Sequence, residues 1–484
     1  MAAGPRILMT ASEMTPYAQT GGLGDVLAAL PVELERLGAS VHVVLPAYRS
    51  IDWQAAGAQP SGAVEVAIGA GRREVQLRTA HRGTVAVTFV EADDYFDRDH
   101  LYGGPSGDYG DNAERFAFFS RAVLALAARL EPAPDVVHCH DWPTALVPVL
   151  AKAHPDPRLA ATRTVLTIHN LGYQGIFPAS AFPLLGLDRS YFTPRTLEFY
   201  GQVNFLKGGL VFADALTTVS PRYAQEILTP ELGHGLDGVL RERAGVLHGI
   251  VNGVDVARWD PANDPYIAAP FDADDLAGKA ACKADLQRRF GLRVAPHTPL
   301  FGMVSRLADQ KGLDILAAAI PELLRHDLQL VILGNGDARY EQQLAAVGRQ
   351  APERLAIRIA FDTAASHQVE AGADAFLMPS RYEPCGLNQM YSMRYGTVPV
   401  VRATGGLADT VHEFDPTTGA GTGFTFVPYT PAALLEAIQR AVDTYHRPAD
   451  WRRLVRNGMA CDFSWGRAAR HYLDVYRSLR ASSA

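Results

Sequence analysis

Cysteine is scarce: four residues in 484, at Cys139, Cys282, Cys385 and Cys461, with no Cys-x-x-Cys pair. That spacing excludes a disulfide framework and a zinc knuckle, and it fits a reducing compartment. No apolar run is long enough to span a bilayer, so no membrane partner is expected. Positive charge is in deficit: 45 Lys and Arg against 52 Asp and Glu give a formal net charge of −7. Such a chain offers no global field for nucleic acid or an anionic membrane, and cations for an anionic ligand must be local. The opening Met1-Ala2-Ala3-Gly4-Pro5-Arg6 enters a strand almost at once and carries no signal or transit pattern, so a cytoplasmic protein is expected.

What is present is an ordinary globular composition, 48% hydrophobic and 20% charged, over a length that favours more than one core. Apolar strand candidates recur at 7–11, 41–45, 85–90, 136–139, 165–169, 215–219 and 246–251. A second series follows at 300–304, 328–333, 357–361, 375–378 and 398–401. Helical patterns lie between them, which predicts an α/β protein with parallel sheets. The stretch 255–280 is rich in Pro, Asp and Ala and reads as a linker. Two Rossmann-like domains are therefore expected, over 1–255 and 256–460. In the closing segment, 461–484, Trp465, Ala469, Tyr472, Tyr476 and Leu479 fall on one face of a helix.

Nearly the same string occurs in both halves: Thr20-Gly21-Gly22-Leu23-Gly24-Asp25 and Thr404-Gly405-Gly406-Leu407-Ala408-Asp409. Each follows a strand candidate and opens onto a helix. Paired glycines there bring backbone N–H groups close to a ligand, and the helix N-terminus adds partial positive charge. One such loop in each half predicts two facing domains with a ligand between them.

Ligands of open α/β sheets bind beyond the carboxyl ends of strands, so polar residues there carry most weight. Pro379-Ser380-Arg381-Tyr382-Glu383-Pro384-Cys385-Gly386-Leu387 follows a strand and precedes a helix at 388–395. It sets the Glu383 carboxylate beside free helical N–H groups, as either a cap or a ligand-binding anion. Cys385 has no adjacent base, so packing or backbone contact is expected of it rather than nucleophilic attack. The loop Ser305-Arg306-Leu307-Ala308-Asp309-Gln310-Lys311-Gly312 supplies a guanidinium fork and an ammonium, a pair suited to a diphosphate. Leu333-Gly334-Asn335-Gly336-Asp337 is a further glycine turn after a strand, and Asn252-Gly253 forms a turn with Asn252 available to a ligand. His138-Cys139-His140-Asp141-Trp142 and Thr167-Ile168-His169-Asn170 end two strands of the first half. Imidazole and carboxylate are metal-ligand chemistry, but no further ligand set is evident, so no metal is expected. His169, at a strand end, is a candidate for substrate contact.

Taken in order along essentially the whole chain, Thr20–Asp25, His138–Trp142, His169-Asn170, Asn252–Asp255, Ser305–Gly312, Glu383–Gly386 and Thr404–Asp409 resemble the bacterial glycogen synthase and plant starch synthase family. These are retaining glucosyltransferases of the GT-B fold. Glu-Pro-Cys-Gly-Leu at 383–387 and Asp462-Phe463-Ser464-Trp465 are specific to it, and Tyr391 stands where many other retaining GT-B enzymes have a second Glu. The resemblance implies transfer of glucose from ADP-glucose to the non-reducing end of an α-1,4-glucan, with no metal cofactor, by a bacterial enzyme. It implies that the last helix returns to the first domain. It gives catalytic roles to Glu383 and His169 at the sugar and to Arg306 and Lys311 at the diphosphate. Gln19, Gly21, Gly22, Asp25, Asp141, Asn252, Gln310, Gly334, Cys385, Gly386, Leu387, Thr404, Gly405 and Gly406 would line the donor site. Phe361 would face the adenine, where the family usually has Tyr.

One position departs from the family: the first glycine loop normally opens with Lys and here opens with Gln19. That removes a cation, and a hydrogen bond to a charged group is typically worth about 1.5–3 kcal/mol. Two functional alternatives stay open on the residues alone, a UDP-glucose enzyme and a non-catalytic glucan-binding relative. A dinucleotide oxidoreductase is disfavoured because the second strand ends in Leu45-Pro46 rather than an acidic residue.

Overall fold

The computed structural model describes residues 4–68, 71–104 and 107–481. The chain divides into two compact units. One comprises the chain up to Gly253 together with the segment from Trp465, and the other is Val254–Ser464.

In the first unit nine strands among the described residues form one sheet. Its order is Leu247–Gly249, Ala215–Thr218, Arg163–Ile168, Val136–His140, Arg6–Thr10, Ser40–Pro46, Val85–Val90, Gly71–Arg82, Gln59–Ile68. The strands from Leu247–Gly249 to Val85–Val90 pair in parallel. Their central members are apolar and covered on both faces, as parallel strands flanked by helices must be. The last two strands are antiparallel and were not expected from the sequence. They alternate instead: Val64, Val66, Val75 and Leu77 are buried while Glu65, Glu74 and Gln76 are exposed, the pattern of a half-covered edge.

In the second unit the sheet order is Leu355–Ile359, Gln329–Gly334, Leu300–Val304, Ala375–Met378, Val398–Arg402, Phe424–Phe426, all parallel. The strand candidate at 357–361 ends two residues early, at Ile359, where its neighbour ends at Gly334. Phe361 therefore lies beyond the strand. The stretch read as a linker is instead docked on this unit. Helix Ala277–Arg289 begins within it, and the Trp259 ring stacks between His367 and Tyr391 at 3.9 Å on each side.

Helix Trp465–Ala481 packs on the first unit against helix Gly22–Arg36. Trp465, Ala469, Tyr472 and Tyr476 are buried, and Tyr476 Oη bonds His138 Nδ1 at 2.8 Å. Among the described residues, no helix is long and apolar enough to cross a membrane.

Candidate active site

In both sheets the strand order reverses beside a central strand. The switch falls between Arg6–Thr10 and Val136–His140 in the first unit, and between Leu300–Val304 and Ala375–Met378 in the second. Crevices beyond the carboxyl ends at such points are where open α/β sheets bind ligands. The segments that leave these ends are 11–22 and 141–144 in the first unit, 305–312 and 379–387 in the second. Most of the residues singled out by sequence lie on them.

In the first unit the glycine loop is held by a residue that the sequence did not single out. Glu13, buried just past the first strand, accepts from Thr20 N at 2.6 Å, Thr20 Oγ1 at 2.7 Å, Gly21 N at 3.0 Å and Tyr102 Oη at 2.7 Å. Its place after a strand was the one available signal, since Tyr102 is distant in sequence. Gly22 then opens helix Gly22–Arg36 with Asp25 in its first turn. Gln19 is tied down locally: its Nε2 donates to Asp25 Oδ2 at 3.1 Å and to Gly21 O at 3.2 Å, and its Oε1 accepts from Thr15 Oγ1 at 2.9 Å.

Asp141 follows the strand Val136–His140 at φ +56° and ψ −174°, a backbone conformation that costs a non-glycine residue energy and gathers at functional sites. Its Oδ1 accepts the His169 N–H at 2.7 Å. Burial raises the carboxyl to about 7, against backbone N–H bonds from His169 and Asn170 that favour the anion. The His169 ring bonds His140, Nε2 to Nδ1, at 2.9 Å. Burial lowers His169 to about 3, so the ring is neutral at ordinary pH. Asn252 is 7% exposed, and its buried Oδ1 has no hydrogen-bond partner among the described residues. An orphaned buried acceptor of this kind calls for a ligand group or water.

In the second unit the two switch-point loops meet. Lys311 Nζ reaches both Glu383 oxygens, and Ser380 Oγ donates to Oε2 at 2.9 Å. Glu383 is 5% exposed. Gln310 ties the loops together, its O accepting from Arg381 N at 2.8 Å and its Nε2 donating to Tyr382 O at 3.3 Å. Arg306 is exposed on the same loop.

The second glycine loop closes over these residues. Gly405 has φ +46°, and a Cβ there would stand 2.0 Å from Glu383 O; one at Gly406 would stand 2.0 Å from Cys385 O. Gly406 N donates to Glu383 O at 3.1 Å, so only glycine lets Thr404-Gly405-Gly406 lie on the 383–385 backbone. Buried Cys385 and the half-buried Gly386 and Leu387 lead into helix Asn388–Arg394. Gly334 abuts the backbone of Ser305. Phe361 is 88% exposed, an aromatic face with no cover. Among the described residues no group of three or more His, Cys, Asp or Glu is arranged to hold a metal ion.

Comparison with known proteins gives two family models, "Starch synthase catalytic domain" over residues 6–242 and "Glycosyl transferases group 1" over 287–457. The chain is 56% identical over 477 residues to a glycogen synthase of Anaeromyxobacter dehalogenans, covering 98% of this chain and 99% of that one. It is 48% identical over 475 residues to glycogen synthase 2 of Geobacter sulfurreducens, covering 98% of each. Among solved structures, the catalytic domain of starch synthase IV from Arabidopsis thaliana, bound to ADP and acarbose, superposes with a TM-score of 0.91 at 35% identity. That match covers 99% of this chain and 100% of that one. A sucrose-phosphate synthase from Thermosynechococcus elongatus shares the fold, with a TM-score of 0.62 at 18% identity, 99% of this chain and 100% of that one.

Proposed function

The chain belongs to the glycogen and starch synthase family of GT-B glycosyltransferases, and from that premise we propose that it transfers glucose, with retention, from ADP-glucose to the non-reducing end of an α-1,4-glucan. The observation that carries the residue assignment is the half-buried Lys311 ammonium on the buried Glu383 carboxylate at the switch point of the second sheet, with exposed Arg306 on the Lys311 loop.

The chemistry needs opposite charges on the two sides of the breaking bond. The bond from glucose C1 to the diphosphate oxygen breaks, leaving positive charge on the sugar and negative charge on ADP. A bond forms from C1 to a glucan hydroxyl oxygen, and the hydroxyl proton passes to the departing diphosphate. Glu383 stabilises the oxocarbenium-like centre, while Arg306 and Lys311 neutralise the leaving group. Lys311 guards Glu383 in the free chain and shares its charge with the diphosphate once the donor is bound. No metal is required, because the side-chain cations take its place.

His169, Asp141 and Asn252 contact sugar hydroxyls, and the orphaned Asn252 oxygen supports that role. Phe361 offers its exposed face to the adenine. The glycine loops, with Gln19, Asp25 and Gln310, shape the donor site. The bacterial relatives support placing the reaction in the bacterial cytoplasm. Anomeric NMR of a maltooligosaccharide extended with ADP-glucose tests the proposal: a new α-linked residue is expected, and a β-linked one contradicts retention.

A further inference from the structure

Three imidazoles lie in a row behind the candidate site of the first unit. The His138 and His140 ring centroids are 4.1 Å apart, and those of His140 and His169 are 5.2 Å apart in a stacked arrangement. His138 is pinned at both nitrogens, by Tyr476 Oη at 2.8 Å and Thr167 Oγ1 at 2.6 Å. His140 is fully buried, with its Nδ1 2.9 Å from His169 Nε2. Its other nitrogen, Nε2, is buried with no hydrogen-bond partner among the described residues. His169 Nδ1 makes no hydrogen bond to the described residues either.

Two proton arrangements satisfy the His140–His169 contact when both rings are neutral. If His169 Nε2–H donates, His140 must carry its own proton on Nε2, where it is a buried donor with nothing to bond. If His140 Nδ1–H donates, the orphaned His140 Nε2 is only a lone pair. A buried N–H without an acceptor is rarer and costlier than an unused acceptor. Burial holds both imidazoles below their ordinary values, so the neutral pair persists at working pH.

We propose that His140 is a positioning residue that donates from Nδ1 to His169 Nε2 and so fixes His169 as the Nδ1–H tautomer, with that N–H left to bond a sugar hydroxyl oxygen of the substrate. The inference rests on the reading of His169 as a sugar contact, and it adds which nitrogen carries the proton and what sets it. The order Tyr476, His138, His140, His169 makes the last helix a backing for that ring, since Tyr476 holds the first imidazole of the row. Which nitrogen of a histidine is protonated is set by the bond its other nitrogen makes.

The test is 15N-histidine NMR of the full chain with steady-state kinetics on His140→Leu and His140→Asn. The wild type is expected to show the Nδ1–H pattern at His169, assigned by its loss in His169→Ala. His140→Leu removes the donor and should release His169 to the Nε2–H form, with kcat lower by about 10-fold, the worth of one well-placed hydrogen bond, and donor KM changed far less. His140→Asn places an amide N–H where Nδ1 stood and should restore the tautomer and most of kcat. An Nε2–H pattern in the wild type, or His140→Leu that folds with unaltered tautomer and kcat, overturns the proposal. An active His169→Ala would refute the sugar-contact role instead, and the NMR pattern reports the tautomer independently of it.

Discussion

Lys311 Nζ lies 2.9 Å from Oε1 and 2.7 Å from Oε2 of Glu383, so one ammonium spans both oxygens of a buried carboxylate. The two residues come from different loops, one after each strand that flanks the switch point. The pair therefore depends on the sheet order, and it gives Lys311 a structural duty beside its proposed one at the diphosphate.

That duty is measurable. Lys311→Ala and Arg306→Ala should each cost on the order of 2 kcal/mol or more in kcat/KM, because both cations act on the leaving group. Lys311→Ala should also lower the unfolding temperature, since it strands the Glu383 carboxylate in a buried site. Near-wild-type kcat/KM in both variants contradicts the diphosphate assignment.

Glu383→Gln should retain donor binding and the fold, because an amide still accepts from Ser380. It should lose most of kcat, because the negative charge opposite the sugar cation is gone. Thermal unfolding beside kinetics decides the matter: a variant with lowered stability and intact kcat would mean that the carboxylate serves the structure alone.

Gln19 sits 3.1 Å from Asp25, so an ammonium at position 19 has an acidic partner waiting. Gln19→Lys is expected to fold normally and to bind ADP-glucose more tightly, with the gain shrinking as salt is added. Donor Kd unchanged at both low and moderate salt would show that this loop does not face the donor.

Asp141 should make the protein's stability fall with pH. Its folded value is about 7 against an ordinary 3.8, so the native state holds a proton that the unfolded chain releases. Its contribution is full below about 3.8 and lost as pH rises through about 7. Asp141→Asn keeps the acceptor for His169 N–H and removes this titration. The unfolding temperature of the variant relative to wild type should therefore climb between pH 4 and pH 7 and level off above. Glu13, whose negative charge helps to raise Asp141, and His140 and His169 are present in both proteins. A gap that does not change with pH contradicts the raised carboxyl.

The parallel strands were legible because a strand covered on both faces reads as an unbroken apolar run, as at 375–378 and 398–401. The edge hairpin Gln59–Ile68 and Gly71–Arg82 was not, because half its side chains face water and its alternation was masked by Arg72, Arg73 and Arg78. The glycine loops and the loops bearing Arg306, Lys311 and Glu383 were visible as strings. Their pairing was not, since the Lys311–Glu383 contact is made by the fold across 72 positions. Glu13 was missed, and His140 was read only as possible metal-ligand chemistry, for the same reason: each bonds a partner, Tyr102 or His169, that sequence distance hides. Trp259 belongs to a stretch whose Pro and Asp content reads as a linker, and its stack with His367 and Tyr391 shows it docked.

The most direct test of the central claim is glucose transfer to glycogen measured side by side with ADP-glucose and UDP-glucose. The proposed function predicts chain extension at non-reducing ends, with kcat/KM higher for ADP-glucose. A folded protein that transfers from neither donor, or that prefers UDP-glucose, would contradict it.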